Sequence, residues 1–518
     1  SRIKRLRGSY LVFNCWGQID YSRLCDKTKD VTAQQADSAA DKYFVRDNRV
    51  VGLFIPDDNP QRAEITKAPS ADELLANYKP QGTAQKIEAF DSSFDNLDKR
   101  TQRIDIGDLN IALLPKQTRG ETVTVCMKFK SGDEKNLFGK ANLQPVAAAM
   151  LTRGTKTMTR SEIEDRMTEL KMAGSITNFT TTRKNLPAAL ELVFDAMHNS
   201  IMPQDEFDQF KKQMQVMIES MRDKPDALAQ NAITQHFNTY PKGDPRYEYS
   251  LDESLEQLNK LTVDQVRAFY KEFGGTSRGE ISIVGDFDPK TVEKIIRDDY
   301  AKYVSKAHYA PVVTEYRPVK ATRVVIDTPD KENAIIVARS VFPINDTAPD
   351  APALTVANWI LGGGTGLSNR LIERLRQKEG LSYGAGSHVR IPAKGDNGSF
   401  VFRAIVAPQN MLQAEASARD VIAKAIKDGF TDQEVEEAKK GLLQAMQVAR
   451  SQDDVVARSW NDKMENQRTW VFSKKQAEAI SKLTTADVNA ALRKYIKPDE
   501  ITFVLAGDQK KAAQKKQD

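Results

Sequence analysis

The chain has 518 residues, of which 40% are hydrophobic and 28% charged, and its formal net charge is +5. This length exceeds one typical domain and predicts about two or three domains, each with its own core. So small a charge excess argues against a nucleic-acid partner, and no apolar run is long enough to span a membrane. The three cysteines form no CxxC pattern, so they indicate neither a disulfide framework nor a compartment.

The first 100 residues differ in pattern from the rest. The chain starts with Ser1 in mid-pattern, and no signal peptide is visible, so we expect a fragment or a processed product. Val31–Asp57 combines an amphipathic helix with a β-rich run, which predicts that residues 1–66 are the C-terminal remnant of a preceding homologous domain. Residues 67–100 are polar and contain two prolines and a glycine, which predicts a linker.

A repeated module marks the ends of two later domains. Leu261–Asp286 and Leu483–Asp508 share a Leu-Thr step, an amphipathic helix ending in an aromatic residue, and a β-rich run closing in Gly-Asp. The threonine stands at the N-cap position in both copies. The repeat predicts two similar domains of ordinary size, residues 101–310 and 311–518.

Strands and long helices are plentiful in both predicted domains. Thr431 and Glu434 form a capping-box pattern at the start of one long helix. The clearest strand-like runs are Thr122–Lys130, Ala334–Val341 and Ser399–Val406. The sequence therefore predicts an α+β fold with tandem homologous domains, each a mainly antiparallel β-sheet with helices packed on one face.

The first candidate for function in the second domain is a glycine-rich segment, LGGGTGLSNR at 361–370. It matches neither the Walker pattern nor GxGxxG. One interpretation is a flexible loop that leads into a helix, Ser368–Glu379, with its first serine as the cap. The other is a loop whose backbone approaches an extended peptide, as glycine permits. The residues of this candidate substrate loop are Gly362, Gly363, Gly364 and Ser368.

The second candidate is RLRQKEGLSY, residues Arg374–Tyr383. Gly380 is placed to end the helix, after which a strand begins, so the turn can bring Arg376 and Tyr383 together. A guanidinium and a phenol can bind a carbonyl oxygen or a carboxylate and stabilise an oxyanion. An arginine at a helix end is otherwise a solvated charge that complements the helix dipole. The residues alone leave both interpretations open.

The histidines do not form a metal-binding pattern. His198, His236, His308 and His388 are far apart, and neither HxxxH nor HxxEH occurs. We therefore expect no metal ligand and no catalytic base on this chain.

These segments resemble the pitrilysin/insulinase family of zinc metallopeptidases, the inverted zincins with an HxxEH motif. The resemblance covers nearly the whole chain. Arg374–Tyr383 is similar to the Arg…Leu-x-Tyr element in the family half that does not bind zinc. This implies that Arg376 and Tyr383 reach the substrate near the zinc site of the other half.

The first domain resembles the same module with its metal site lost. Ala147–Thr157 is similar to the end of the family's metal-binding helix. Pro145, Ala148 and Ala149 then stand where His, Glu and His would bind zinc and activate water. The resemblance implies a degenerate peptidase-like domain, in which Ala147–Leu151 serves as an apolar core helix.

The family resemblance implies a function for the assembly. The chain is expected to be the substrate-binding, non-metal half of a zinc-dependent metalloendopeptidase that degrades peptides in an enclosed chamber. Zinc would be bound by an HxxEH-bearing catalytic half, upstream or on a separate chain, and this chain alone would be inactive. Bacterial relatives of this kind are often periplasmic, so we expect that location. The alternative within the family is a catalytically inactive scaffold or assembly subunit.

Overall fold

The computed structural model describes residues 31–45, 88–364 and 369–513, and the chain divides into two compact units, Ser1–Lys86 and Ile87–Asp518. In the first unit, helix α1 (Ala33–Tyr43) begins at Thr32, which forms a capping box with Gln35. This confirms the helix predicted within Val31–Asp57. The predicted β-rich run after it and residues 1–30 and 46–66 lie outside the described residues.

Two β-sheets form the framework of the second unit. The first has six strands in the order β1-β2-β6-β3-β5-β4, and the second has five in the order β7-β11-β8-β10-β9. One pair in each sheet is parallel, β2 with β6 and β7 with β11, and the other pairs are antiparallel. The strands of the first sheet are β1 (Gln102–Ile106), β2 (Asp108–Pro115), β3 (Thr122–Phe129), β4 (Ala173–Gly174), β5 (Asn178–Thr182) and β6 (Arg278–Gly285). Those of the second sheet are β7 (Arg323–Asp327), β8 (Ala334–Pro343), β9 (Ser382–Arg390), β10 (Asn397–Val406) and β11 (Thr502–Gly507).

Helices connect the strands in both halves of this unit. Those before residue 311 are α2 (Phe94–Arg100), α3 (Leu143–Met150), α4 (Arg160–Glu169), α5 (Leu186–His198), α6 (Gln204–Met221), α7 (Pro225–His236), α8 (Leu251–Lys260), α9 (Val263–Phe273) and α10 (Pro289–Asp298). Those that follow are α11 (Ala351–Asn358), α12 (Arg370–Ile372), α13 (Met411–Asp428), α14 (Asp432–Arg450), α15 (Asp453–Glu465), α16 (Trp470–Lys482), α17 (Thr485–Tyr495) and α18 (Gln509–Ala513). Two π-helical turns, Trp359–Gly363 and Glu373–Lys378, continue α11 and α12. Short 3₁₀ turns lie at Arg119–Glu121, Tyr300–Lys302, Pro408–Asn410 and Pro498–Glu500.

The repeated module is present in both halves. Helix α9 precedes β6, and α17 precedes β11. Thr262 and Thr484 both cap their helices, each through a capping box. Strands β6 and β11 also hold equivalent places, each between one parallel and one antiparallel neighbour. The α+β class and the mainly antiparallel sheets are therefore confirmed.

The cap of α9 gives a testable contribution to stability. The Thr262 side chain accepts a hydrogen bond from the Gln265 N–H at 3.3 Å, and the Gln265 side chain accepts from the Thr262 N–H at 2.9 Å. Replacing an N-cap threonine by alanine leaves a helix N–H without its partner and costs about 1 kcal/mol. We expect Thr262→Ala to lower the free energy of unfolding by about that amount in urea denaturation. Thr262→Ser keeps the hydroxyl and should remain close to the wild type; equal losses in both variants would contradict the capping role.

Each half of the unit contributes one helix to the sheet of the other half. The helices of each half cover one face of their own sheet and form the two large cores. On the opposite face of the first sheet lies α15, and on that of the second sheet lies α7. On α15, the Asn461 amide donates to the Cys126 carbonyl at 3.1 Å, and its oxygen accepts from Ser282. Burial raises the pKa of the Cys126 thiol to about 11, so this cysteine stays protonated at neutral pH and packs as an apolar residue.

The predicted linker, residues 67–100, is corrected at its C-terminal end. Residues 94–100 form helix α2, whose Leu97 is fully buried against α15 and α16. The Asp98 carboxylate accepts from the backbone N–H of Trp470 at 3.1 Å. The polar composition of residues 67–100 predicts a linker, but the buried Leu97 packs this short helix against α15 and α16. Residues 67–87 lie outside the described residues.

Candidate functional site

Helix α12, with its π-helical continuation, positions Arg376. The Asn369 side chain caps it by accepting from the Ile372 N–H at 2.9 Å, so the cap is Asn369 and not the predicted Ser368, which lies outside the described residues. Arg370 forms a bidentate pair with Glu434, with distances of 2.7 and 2.8 Å. Burial raises the pKa of Glu434, but the bonds from Arg370 and Thr431 outweigh it and hold this pKa below its ordinary value. The start of the helix is therefore fixed to the capped start of α14.

The turn after this helix is held by several bonds. Gly380 has a φ of +61°, which is the left-handed conformation predicted for the residue that ends the helix. The Leu381 N–H returns to the Leu375 carbonyl at 2.8 Å. The Glu379 carboxylate pairs with Arg374 at 2.5 Å and accepts from Ser417 at 2.6 Å. These bonds define the path of the chain from Arg376 into strand β9.

A β-bulge places Tyr383 at the start of the edge strand β9. Ser382 pairs with Val406 and Gly384 with Ile405, so Tyr383 is an extra residue in the ladder. The buried Ser382 hydroxyl lies 2.8 Å from the Gly384 carbonyl and 2.9 Å from the Ile405 carbonyl, and it accepts from the Gly384 N–H at 3.1 Å. Bulges of this kind redirect side chains beside functional sites. Ser382 therefore fixes the backbone from which Tyr383 projects.

Arg376 and Tyr383 are both exposed, and Tyr383 retains 66% of its accessible surface. Within the described residues neither forms a hydrogen bond or an ion pair, not even with the other, whereas Arg370 and Arg374 are paired. An exposed arginine alone also suits a solvated charge. The large phenol of Tyr383 is exposed without a partner on a backbone that several bonds hold in place, and this favours a binding role.

The glycine cluster packs against the same strand. A Cβ on the buried Gly362 would lie 2.5 Å from the Ser387 Oγ and 2.7 Å from the Ser387 backbone nitrogen on β9. The backbone that Gly362 approaches closely is therefore strand β9 of this chain and not a bound peptide. Gly363 and Gly364 are half-buried, against Asn358 and Trp359.

This close approach predicts a large difference between two glycines of the site. Gly362→Ala forces its new methyl group into the backbone of β9, and overpacking of this kind costs about 1–3 kcal/mol. A Cβ on Gly384 meets no atom within 4 Å. In thermal and urea unfolding, Gly362→Ala should be clearly destabilised and Gly384→Ala should not. Equal behaviour of the two variants would show that the packing of Gly362 on β9 is unimportant.

The segment that resembles the family's metal-binding helix has no zinc ligands at the three corresponding positions. Pro145, Ala148 and Ala149 lie on α3, and none has a nitrogen, oxygen or sulfur side-chain donor, which zinc requires. An apolar cavity of about 400 Å³ adjoins Pro145 and Ala149, lined also by Phe210 and Met214. In the described part of the chain no group of three or more His, Cys, Asp or Glu residues is placed to hold a metal ion. The expected core segment is buried at Ala147, Met150 and Leu151, but Ala148 is exposed.

Two kinds of functional residue escape the sequence analysis. Ser382 and the Arg370–Glu434 pair position the site, but a single sequence does not distinguish them from other polar residues. Arg339 is different, because it is the one charged residue of strand β8, and this makes it stand out in the sequence. It lies beside a cavity between the two halves of the unit.

The fold is that of a tandem α+β protein with two similar halves. Residues 260–442 match the family model described as peptidase M16 inactive domain. The resemblance found in the sequence is thereby confirmed at this level. Across residues 88–364 and 369–513, no helix is long and apolar enough to cross a membrane.

Curated relatives and solved structures are similar to this chain over much of its length. An uncharacterized zinc protease of Mycobacterium tuberculosis is 24% identical over 299 residues, which are 55% of this chain and 66% of that protein. The non-peptidase homolog YmxG of Helicobacter pylori is 20% identical over 74% of this chain and 89% of its own length. The crystal structure of a peptidase M16 inactive domain from Pseudomonas fluorescens has a TM-score of 0.67 at 20% identity, covering 79% of this chain and 97% of that one. The periplasmic protease PqqL from Escherichia coli has a TM-score of 0.59 at 14% identity, covering 93% of this chain and 51% of that one.

Proposed function

We propose that this chain is the substrate-binding, non-metal half of a zinc-dependent metalloendopeptidase. The observation that carries the proposal is the pair Arg376 and Tyr383, both exposed and without partners on a turn that many bonds hold in place. A scaffold has no need of such a turn, whereas a binding site needs rigid support for its side chains.

In this proposal Arg376 and Tyr383 bind the peptide beside the bond to be cleaved. The guanidinium and the phenol donate hydrogen bonds to the carbonyl oxygen of that bond. These bonds strengthen as negative charge develops on the oxygen, and this lowers the barrier. Gly363 and Gly364 are assigned to the backbone path of the peptide next to this position.

Zinc and the catalytic base belong, in this proposal, to an HxxEH-bearing half. Zinc supplies an activated water for attack on the peptide carbonyl. The chain covers 66% and 58% of the length of the curated zinc protease relatives that it matches. The activity of the whole assembly, its peptide substrates, its enclosed chamber and a periplasmic location are therefore inferred from the family. PqqL, described as periplasmic, supports the location.

Reconstitution tests the proposal. The zinc content and the cleavage of a mixture of fluorogenic peptides are measured for this chain alone, for an HxxEH-bearing partner from the same source, and for both together. We expect the chain alone to be metal-free and inactive, and the mixture to be much more active than the partner alone. Stoichiometric zinc and cleavage by this chain alone would refute the assignment of the metal to the other half.

A second function is favoured by one comparison. YmxG, which aligns with 74% of this chain, is described as a non-peptidase homolog. An inactive scaffold or assembly subunit would bind the same partner without raising its cleavage rate. The reconstitution separates the two functions, because a complex that forms on a sizing column without gaining activity supports the scaffold.

A further inference from the structure

A polar cavity of about 780 Å³ lies between the two halves of the second unit, away from the Tyr383 turn. Its floor is the face of the second sheet that α7 covers in part. Val401 on β10 pairs with Arg339 on β8 on one side and with His388 on β9 on the other. Arg390 is two residues after His388 on β9, so it points to the same face. Arg339 and Arg390 therefore lie on the same face of the sheet, and both line the cavity.

Arg339 and Arg390 lack the ion pairs that Arg246 and Arg403, in the same region, have. Neither forms an ion pair or a hydrogen bond within the described residues, and the Nε atom of Arg339 is buried without any partner. The Arg339 guanidinium lies over the Phe237 ring, 4.8 Å from its centroid. Burial, and then the charge of Arg390, lower the pKa of Arg339, whereas Glu248 acts in the opposite direction. A buried polar group such as the Arg339 Nε atom is rarely left unpaired, and the exposed Arg390 lines the same cavity, so this arrangement calls for a ligand.

We propose that this cavity binds a carboxylate, from an acidic side chain or a free C-terminus of a peptide, between Arg339 and Arg390. An arginine side chain matches a carboxylate through two parallel N–H donors. The size of the cavity is within the range of sites for small ligands.

The charges around the cavity favour a single negative charge. Arg246 pairs with Asp244 and Glu134, both at 2.7 Å. Arg317 lies over the same Tyr240 ring as Arg246 and acts on Asp244, so these two positive and two negative charges balance. The unpaired charges are those of Arg339 and Arg390, opposed by Glu248. One positive charge is left in excess, which a carboxylate balances and a phosphate dianion exceeds.

The binding is tested with the full chain by isothermal titration calorimetry. The probes are three acetylated pentapeptides of Gly and Ala that differ only at the central residue and the C-terminus. One has a central Glu and an amidated end, one a central Gln and a free carboxylate, and one a central Gln and an amidated end. Inorganic phosphate is the fourth probe. We expect at least one carboxylate peptide to bind, and the neutral peptide and phosphate to bind about tenfold more weakly or not at all.

Matched variants locate the site. Arg339→Gln and Arg390→Gln should each weaken the carboxylate peptide by about tenfold or more, because each removes a charged donor. Arg403 lies on the same face of the sheet but is paired with Asp226 at 2.6 Å, so Arg403→Gln should leave the affinity unchanged. Thermal unfolding checks that each variant is folded.

Three outcomes would overturn the proposal: equal binding of the neutral peptide, preference for phosphate, or full affinity in both the Arg339 and the Arg390 variant. The result does not depend on the proposed function, because binding and not cleavage is measured. The two carboxylate peptides distinguish a side-chain from a C-terminal source.

Discussion

Tyr383→Phe should lower peptide cleavage by the reconstituted assembly on the order of a hundredfold, with the loss in the turnover number more than in the Michaelis constant. The substitution removes only the phenol O–H. This hydroxyl forms no hydrogen bond within the described residues, so its loss should not lower the stability of the fold. Arg376→Ala should give a loss of similar size, and Arg376→Lys should recover little, because a lysine cannot present two parallel donors. Steady-state kinetics with one fluorogenic peptide measure all three effects.

The controls for this prediction separate chemistry from folding. Tyr383 is 66% exposed, so Tyr383→Phe should unfold at the wild-type temperature. Tyr316→Phe, in the segment that enters the second sheet, should keep full activity. Ser382→Ala should show whether the bulge positions Tyr383: it should reduce the turnover number less than Tyr383→Phe, while the complex with the partner still forms. Normal turnover in Tyr383→Phe would remove Tyr383 from the site and favour the scaffold function.

Local signals explain why much of the fold was predictable. Thr262, Thr484 and Thr431 are capping residues whose bonds are made within four residues, so their pattern can be found in one sequence. The same holds for Gly380, whose positive φ follows from its place at a helix end. Arg376 and Tyr383 are predicted as site residues only through the family resemblance, because spacing alone does not separate a binding role from a solvated charge.

Non-local contacts explain what was not predictable. The bulge at Tyr383 depends on its pairing with β10, and the ion pair of Arg370 joins it to a residue 64 positions away. The exchange of α15 and α7 between the halves is also invisible to local patterns. Both have apolar faces of the kind that any core helix shows, and nothing in their periodicity says which sheet they cover.

The exchanged helix α15 gives the largest expected effect on stability. Trp460 on this helix is fully buried between the first sheet and helix α2, and its ring meets that of Trp470 edge to face, 6.1 Å between centroids. Replacing a buried tryptophan by alanine costs about 3–5 kcal/mol. Because a typical protein is stable by only about 5–15 kcal/mol, we expect Trp460→Ala to unfold at a much lower urea concentration. Circular dichroism measures the midpoint, and calorimetry shows whether the two halves still unfold together.

Two further variants decide whether that loss comes from the contact between the halves. Trp460→Phe keeps most of the apolar area and should recover a large part of the stability, whereas Val448→Ala, at a site 54% exposed on α14, should change it by less than about 0.5 kcal/mol. If α15 holds the halves together, Trp460→Ala should also split the calorimetric transition into two, because each half keeps its own core. A single transition, with a free energy of unfolding lowered by less than about 1 kcal/mol, would mean that the halves are joined mainly by α7 on the second sheet.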